Sequence, residues 1–133
     1  MLLDELTKDE KIAFWKAANV VAAADGSVSE EESILKQYIE EMGDDFGFID
    51  PSAVDVSAEI SKFRESSERT RKIVYFELFS VAYADTEFDD KEKKLLDDVC
   101  SALDISAADR EELEDCVKTI FDTYRRLGGI LNV

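Results

Sequence analysis

The chain has 133 residues, the size of one domain, and 45% of them are hydrophobic, which is enough to bury a core. Its 32 acidic and 16 basic side chains give a formal net charge of -16, which repels nucleic acid and anionic lipid and favours cations and basic proteins as partners. It contains no histidine, so Ser-His and Cys-His catalytic pairs and His-ligated zinc are excluded.

Six helices are predicted in chain order, at about 7–24, 29–43, 51–64, 66–84, 89–103 and 106–127. Capping boxes or N-cap residues mark their starts: Thr7, Ser29, Asp50 before Pro51, Ser66 or Ser67, Asp89, and Ser106. A loop is predicted from Gly43 to Asp50, and Gly128-Gly129 is predicted to end the last helix. Strand-type alternation is absent, so the fold class is all-α.

Two of these helices are apolar on nearly all faces, at 12–24 and 73–84, which is typical of helices buried on most sides. We expect them to form a central pair that the amphipathic helices surround. Each carries one lone charge, Lys16 or Glu77, at nearly equivalent positions. The two charges would pair if the helices cross there, and otherwise each would have to reach the edge of the core or stay unpaired.

The central helices also belong to an internal repeat. A shift of sixty positions aligns 21–25 (VAAAD) with 81–85 (VAYAD). The same register pairs Val28 with Phe88, Ser29 with Asp89, Glu32 with Glu92, and Leu35 with Leu95. We therefore expect a single-domain bundle of two helical hairpins, at about 7–43 and 67–103, related by a pseudo-two-fold axis. A linker helix at about 51–64 and a closing helix at about 106–127 complete it.

The repeated motif is ADGSVSEEE at 24–32, echoed as ADTEFDDKE at 84–92. An EF-hand is rejected, because Val21 and Ala23 would occupy its first ligand positions. One interpretation is structural, with a glycine turn followed by a capping box. The other starts from the aspartates, which are unfavourable at helix C-terminal ends and so need hydrogen bonds or a cation in compensation.

A cation at the motif would be held by oxygen ligands alone, which suits Ca²⁺ or Mg²⁺ rather than zinc or copper. The candidate metal ligands are the motif acids Asp25, Glu32, Asp85 and Glu92. In the second copy Thr86 replaces the glycine and resists positive φ, so its turn must differ from that of the first copy.

Three further expectations concern the cysteines, the loop and the compartment. Cys100 and Cys116 are predicted on antiparallel neighbours with an offset of about 10 Å, too far for a disulfide, so both should be free, half-buried thiols. Phe46 and Phe48 should fold back onto the bundle, or else form an exposed anchor for a partner or a second copy. A signal peptide and a membrane-spanning stretch are both missing from the sequence, so we expect a cytoplasmic protein.

The two motif copies, with Leu95 and the run Leu103-Asp104-Ile105-Ser106, resemble the TerB-like family, a tellurite-resistance-associated helical domain that is also similar to part of the DjlA co-chaperones. The resemblance implies an all-α bundle with an internal repeat. It also implies a bacterial cytoplasmic protein of stress-response or membrane-associated assemblies, with divalent-metal binding through the motif acids Asp25, Glu32, Asp85 and Glu92.

The leading hypothesis is a noncatalytic acidic protein-interaction domain with divalent-cation binding. Its partner would be a protein, basic or membrane-associated, and not a nucleic acid, and a homodimer stays open. Two alternatives also stay open: a metal-dependent enzyme or metal-ion buffer that uses the four motif acids, and a DNA mimic whose carboxylates imitate phosphates.

Overall fold

The computed structural model describes residues 2–24, 29–43, 46–83 and 90–132, and residues 29–34 only by their backbone. This part of the chain contains no strand. Its helices are α1 (Lys8–Ala23), α2 (Ser29–Met42), α3 (Val56–Ser61), α4 (Glu68–Tyr83), α5 (Asp90–Ala102) and α6 (Ala107–Leu131), with 3-10 turns at Leu3–Glu5 and Pro51–Ala53. The predicted all-α bundle is therefore confirmed.

Side-chain caps begin the helices where the sequence predicted them. At Thr7 both halves of a capping box form: its hydroxyl accepts from the Glu10 N–H at 3.2 Å, and the Glu10 carboxylate accepts from the Thr7 N–H at 2.9 Å. The hydroxyls of Ser67 and Ser106 each accept a backbone N–H of the following turn at 3.1 Å. These local hydrogen bonds explain why the sequence predicts the starts of α1, α4 and α6 correctly.

The prediction of one continuous helix at about 51–64 is wrong. The chain forms a 3-10 turn at Pro51–Ala53, is extended at Val54 and Asp55, and then begins α3. The Asp50 carboxylate caps the turn, and the Asp55 carboxylate accepts from the Ala58 N–H at 3.2 Å. Because aspartate competes with helical hydrogen bonding and favours caps, the second aspartate starts a new helix.

The predicted end of the last helix is also wrong, because α6 continues through Gly128 and Gly129 to Leu131. Neither glycine has a positive φ, and the N–H of Asn132 donates to the Gly128 carbonyl at 3.0 Å. Glycine weakens a helix interior but does not forbid it, so Gly-Gly is a less decisive stop signal than the prediction assumed.

Helices α1 and α4 are the central pair. In α4, every residue of 73–82 is buried except Phe76. In α1, every residue of 13–22 is buried except Lys16, Asn19 and Val20. Helix α3 contacts both α1 and α5, and α6 lies along α4. Lys16 forms its ion pair with Glu59 of α3, at 3.6 Å, rather than with Glu77. The apolar character of the two helices thus predicted their central position correctly.

Helices α1 and α4 run in the same general direction. Near their starts, the Ser66 hydroxyl donates to the Glu10 carboxylate at 2.6 Å. Further along, Tyr38 of α2 contacts both: its ring lies 5.3 Å from that of Phe14, and its hydroxyl donates to the Glu77 carbonyl at 2.7 Å. The starts of α1 and α4 therefore lie side by side, and Tyr38 joins the two helices further along.

Each hairpin closes with the same kind of contact. The Lys11 ammonium donates to the Met42 carbonyl at 3.0 Å, and the Arg71 guanidinium donates to the Leu103 carbonyl at 2.8 Å. Lys11 and Arg71 are sixty residues apart, in the register of the sequence repeat. A cation at the C-terminal end of a helix satisfies free carbonyls and interacts favourably with the helix dipole.

Helix α6 runs alongside α4 in the same direction. The Tyr75 hydroxyl donates to the Glu114 carboxylate at 2.6 Å, and further along both helices Tyr83 packs edge-on against Phe121, with centroids 5.6 Å apart. Since α4 ends at Tyr83, the last two turns of α6 extend past it.

Both cysteines are free, as predicted. Cys100 is buried in the core, but Cys116 is exposed rather than half-buried.

Replacement of Phe14 by alanine should lower the free energy of unfolding by about 3–5 kcal/mol, because the fully buried ring leaves a cavity in the core. Urea denaturation measures the change. Phe48→Ala is the matched control, since Phe48 is 92% exposed and its removal should change the free energy by less than about 0.5 kcal/mol. Equal losses in both variants would contradict the core described here.

Substitution of Gly128 and Gly129 by alanine should stabilise the end of α6 by up to about 1 kcal/mol each, because both glycines are helical and no other group lies within 4 Å of the position that a Cβ would take at either. Amide hydrogen exchange of 124–131 would report the gain. Gly43→Ala is the opposite control: its φ of +76° makes alanine unfavourable by about 1–2 kcal/mol. Unchanged exchange in the α6 variants would show that α6 ends earlier.

Candidate functional site

The structure describes the side chain of one of the four predicted metal ligands. Glu92 lies in the first turn of α5 and is only 1% exposed. Glu32 lies in α2, with its side chain outside the described part, and Asp25 and Asp85 fall outside it entirely. Among the described residues, no three cysteine, aspartate or glutamate side chains form a group that could hold a metal ion.

Each motif copy follows the C-terminal end of a central helix. Helix α1 ends at Ala23 and α4 ends at Tyr83, while the starts of the two helices lie side by side. Glu92 lies at the end of the bundle where α4 ends, since α5 finishes beside Arg71 near the start of α4.

One concave feature of the described residues is a groove of about 480 Å³ between α2 and α6, with α4 as its floor. Ten side chains from these three helices line it: Gln37, Tyr38, Glu41, Phe76, Glu77, Ser80, Val117, Ile120, Phe121 and Tyr124. The lining combines aliphatic and aromatic surface with two carboxylates, and it includes no lysine or arginine.

Buried hydrogen bonds hold the floor and one wall of this groove. The Tyr38 hydroxyl, from α2, donates to the Glu77 carbonyl of α4 at 2.7 Å, and the Ser80 hydroxyl donates to the Phe76 carbonyl at 2.8 Å. Burial and the neighbouring Glu77 raise the pKa of the Tyr38 hydroxyl well above its usual value. The neutral hydroxyl is therefore a fixed structural donor that joins α2 to α4.

An aromatic stack supports the α6 wall. On α4, the rings of Phe79 and Tyr83 stack with centroids 5.9 Å apart, and Phe121 of α6 meets Tyr83 edge-on at 5.6 Å. The Arg125 guanidinium lies 5.5 Å from the Tyr83 centroid and forms an ion pair with Asp122 at 3.0 Å. These contacts hold α6 in place up to the level at which α4 ends.

Beyond that level, the apolar face of α6 has no cover from the described helices. Val117 is buried, but Tyr124 is 68% exposed and Leu131 is 71% exposed, with Leu127 also exposed between them. The spacing of three or four residues puts these side chains on the face that lines the groove. The groove and the exposed end of α6 are therefore one continuous apolar surface, which we call the α6 track: Val117, Ile120, Phe121, Tyr124, Leu127 and Leu131.

The two loop phenylalanines have different positions. Phe46 packs against the core, as predicted, while Phe48 is exposed. The Trp15 indole N–H donates at 3.0 Å to the carbonyl of Gly47, the residue between the two phenylalanines, and so holds the loop in place. The expectation that both rings fold back is thus wrong for Phe48. The larger apolar surface, on α6, was missed, although the spacing of its apolar residues is visible in the sequence.

The comparisons place this helical bundle in a family. The chain matches the family model described as tellurite resistance protein TerB over residues 33–115, which is more than half of its length, so it belongs to that family. The resemblance inferred from the acidic motifs is thereby confirmed. Searches of curated proteins and of solved structures gave no significant match. None of the described helices has the length and apolar character needed to cross a membrane.

The buried Tyr38 hydroxyl makes the stability of the protein depend on alkaline pH. Because the pKa of this hydroxyl is raised in the folded state, its contribution to the free energy of unfolding is complete below about pH 10, the pKa of tyrosine in the unfolded chain. Above that pH the contribution is lost by about 1.4 kcal/mol per pH unit. Chemical denaturation at pH 9 and at pH 11 measures this change. The decrease in the free energy of unfolding between the two pH values should be smaller by about 1.4 kcal/mol in Tyr38→Phe than in the wild type. Tyr124→Phe, which removes an exposed hydroxyl, should behave as the wild type does.

Proposed function

We propose that this TerB-family chain is a noncatalytic acidic domain that acts by binding another protein, in a bacterial stress response of the tellurite-resistance type. The observation that carries the proposal is the continuous surface formed by the groove and the exposed end of α6. Large exposed apolar side chains in a continuous patch are characteristic of surfaces that bind other macromolecules. The net charge of -16 favours a basic partner.

The character of the groove supports binding rather than catalysis. The two carboxylates that line it are accompanied by apolar side chains and by the hydroxyls of Tyr38 and Ser80, which already donate to backbone carbonyls. The groove lining includes no lysine, cysteine or histidine that could serve with them as a nucleophile and base pair. The hydroxyl of Tyr38, with its raised pKa, is a poor proton donor near neutral pH.

We further propose that Ca²⁺ or Mg²⁺ binds the motif acids Asp25, Glu32, Asp85 and Glu92. Two observations support this. The motif copies follow equivalent ends of the two central helices, α1 and α4, and Glu92 is a buried carboxylate in the first turn of α5. An all-carboxylate donor set fits a hard cation. Such an ion would offset repulsion among these acids and stabilise the starts of α2 and α5.

The two proposed features share helix α2. The second half of α2 forms one wall of the groove, the start of α2 carries the end of the first motif copy, and the exposed end of α6 extends past the end of α4. A cation that orders the start of α2 would thus stabilise one wall of the binding surface. A cytoplasmic location is part of the proposal, and the two free thiols support it.

Calorimetric titration of Ca²⁺ and Mg²⁺ into the metal-free chain, at about 0.15 M salt, tests the cation site, since screening suppresses diffuse attraction more than coordination. We expect saturable binding that Asp25→Asn and Asp85→Asn each weaken. Glu112→Gln is the matched control, because it removes one negative charge from an exposed position on α6. A saturating ion should also raise the melting temperature.

Two results would contradict the cation proposal. One is the absence of saturable heat in the wild type. The other is an equal loss of affinity in Glu112→Gln and in the motif variants, because that pattern would mean attraction by net charge alone.

A further inference from the structure

We propose that the α6 track and the acidic wall of the groove bind a cationic amphipathic helix of a partner protein. The inference rests on the proposed interaction function and specifies its binding mode: the apolar face of the partner helix lies on the α6 track, and its flanking lysines or arginines face the carboxylates of α2 and α4.

The length of the apolar surface suits a helix. From Val117 to Leu131 the α6 track is about 21 Å long at 1.5 Å per residue, or roughly four turns. Its first half forms one wall of the groove, and its second half extends into solvent. A partner helix of similar length would cover both halves at once.

The binding mode follows from what the surface offers. The described residues contain no strand, so no sheet edge is available among them for an extended peptide to join by backbone hydrogen bonds. A groove between two helices over a third is the arrangement into which an amphipathic helix places apolar residues spaced by three or four positions. Tyr124 and Leu127 are exposed large side chains at the middle of the track, where such anchors would contact them.

The charges of the groove favour a positively charged partner helix. The groove lining contains Glu41 and Glu77 and no basic residue, and Glu40 adds a further exposed carboxylate on α2. Arg125 of α6 is engaged with Asp122 and with the rings of Tyr83 and Phe121. A basic helix thus meets complementary charge, whereas a second copy of this chain brings another net charge of -16.

The test uses a labelled synthetic helix of about 14 residues, with leucines on one face and lysines elsewhere, matched to the length of the track. Fluorescence anisotropy with the full chain, at about 0.15 M salt, should show saturable binding. Tyr124→Arg and Leu127→Arg should each weaken it by about tenfold, or about 1.4 kcal/mol. Both side chains are exposed, so the variants should fold, which their melting temperatures verify.

The controls separate the groove from general electrostatics. Phe48→Arg adds the same charge at an exposed aromatic residue outside the groove, and it should leave the affinity within about twofold of the wild type. A peptide of the same composition, with leucines scattered around the helix, should bind at least about tenfold more weakly, because it has no continuous apolar face. Equal binding of the two peptides, or equal weakening by Phe48→Arg, would refute the proposal.

Other occupants of the surface are outcomes of the same experiments. Light scattering that shows a wild-type dimer, lost in Tyr124→Arg, would assign the α6 track to a second copy and overturn the proposal. Binding to anionic phosphatidylglycerol vesicles that Tyr124→Arg abolishes, without binding of the peptide, would assign it to a membrane and also overturn it. If the wild-type chain does not bind the peptide but still binds Ca²⁺ or Mg²⁺ saturably, only the proposal for the groove is refuted. The motif acids are not part of the α6 track, so the two results are independent.

Discussion

The constraint on which the rest of the structure depends is that α1 and α4 are apolar on almost every face and must be covered on almost every side. Each central helix has one hairpin partner, and α3 and α6 cover the remaining faces. Polar tips occur at equivalent positions at the edge of this core. The Trp15 indole binds the loop after the first hairpin, and the Tyr75 hydroxyl binds α6 after the second.

Helix α6 shows how this coverage leaves a surface available for binding. It has 25 residues, α4 has only 16, and both run in the same direction from a shared contact at Tyr75. The apolar face of α6 therefore extends beyond the end of α4, the helix that it covers. The part beyond Tyr83 remains exposed, and it is continuous with the groove over α4. Structural packing and the proposed recognition thus use the same face of one helix.

Prediction from sequence succeeded where local chemistry determines the outcome. Thr7, Ser67 and Ser106 begin helices because a hydroxyl satisfies a free backbone N–H within the same turn, an interaction that needs no distant residue. It failed where two local signals compete. Asp55 could continue a helix or cap a new one, and Gly128 could end a helix or extend it, and the intrinsic energies involved are only about 1 kcal/mol in each case.

The sequence by itself determined the helical class, the central pair, the acidic repeated motif and the membership of the TerB family, because periodicity, caps and motif residues are local properties of the chain. The directions of the helices and the continuity of the groove with the end of α6 required tertiary structure. Both depend on contacts between residues far apart in sequence, such as Glu10 with Ser66 and Tyr38 with Glu77, which no local pattern encodes. The binding surface arises from those long-range contacts, since three helices must pack before any groove exists between them.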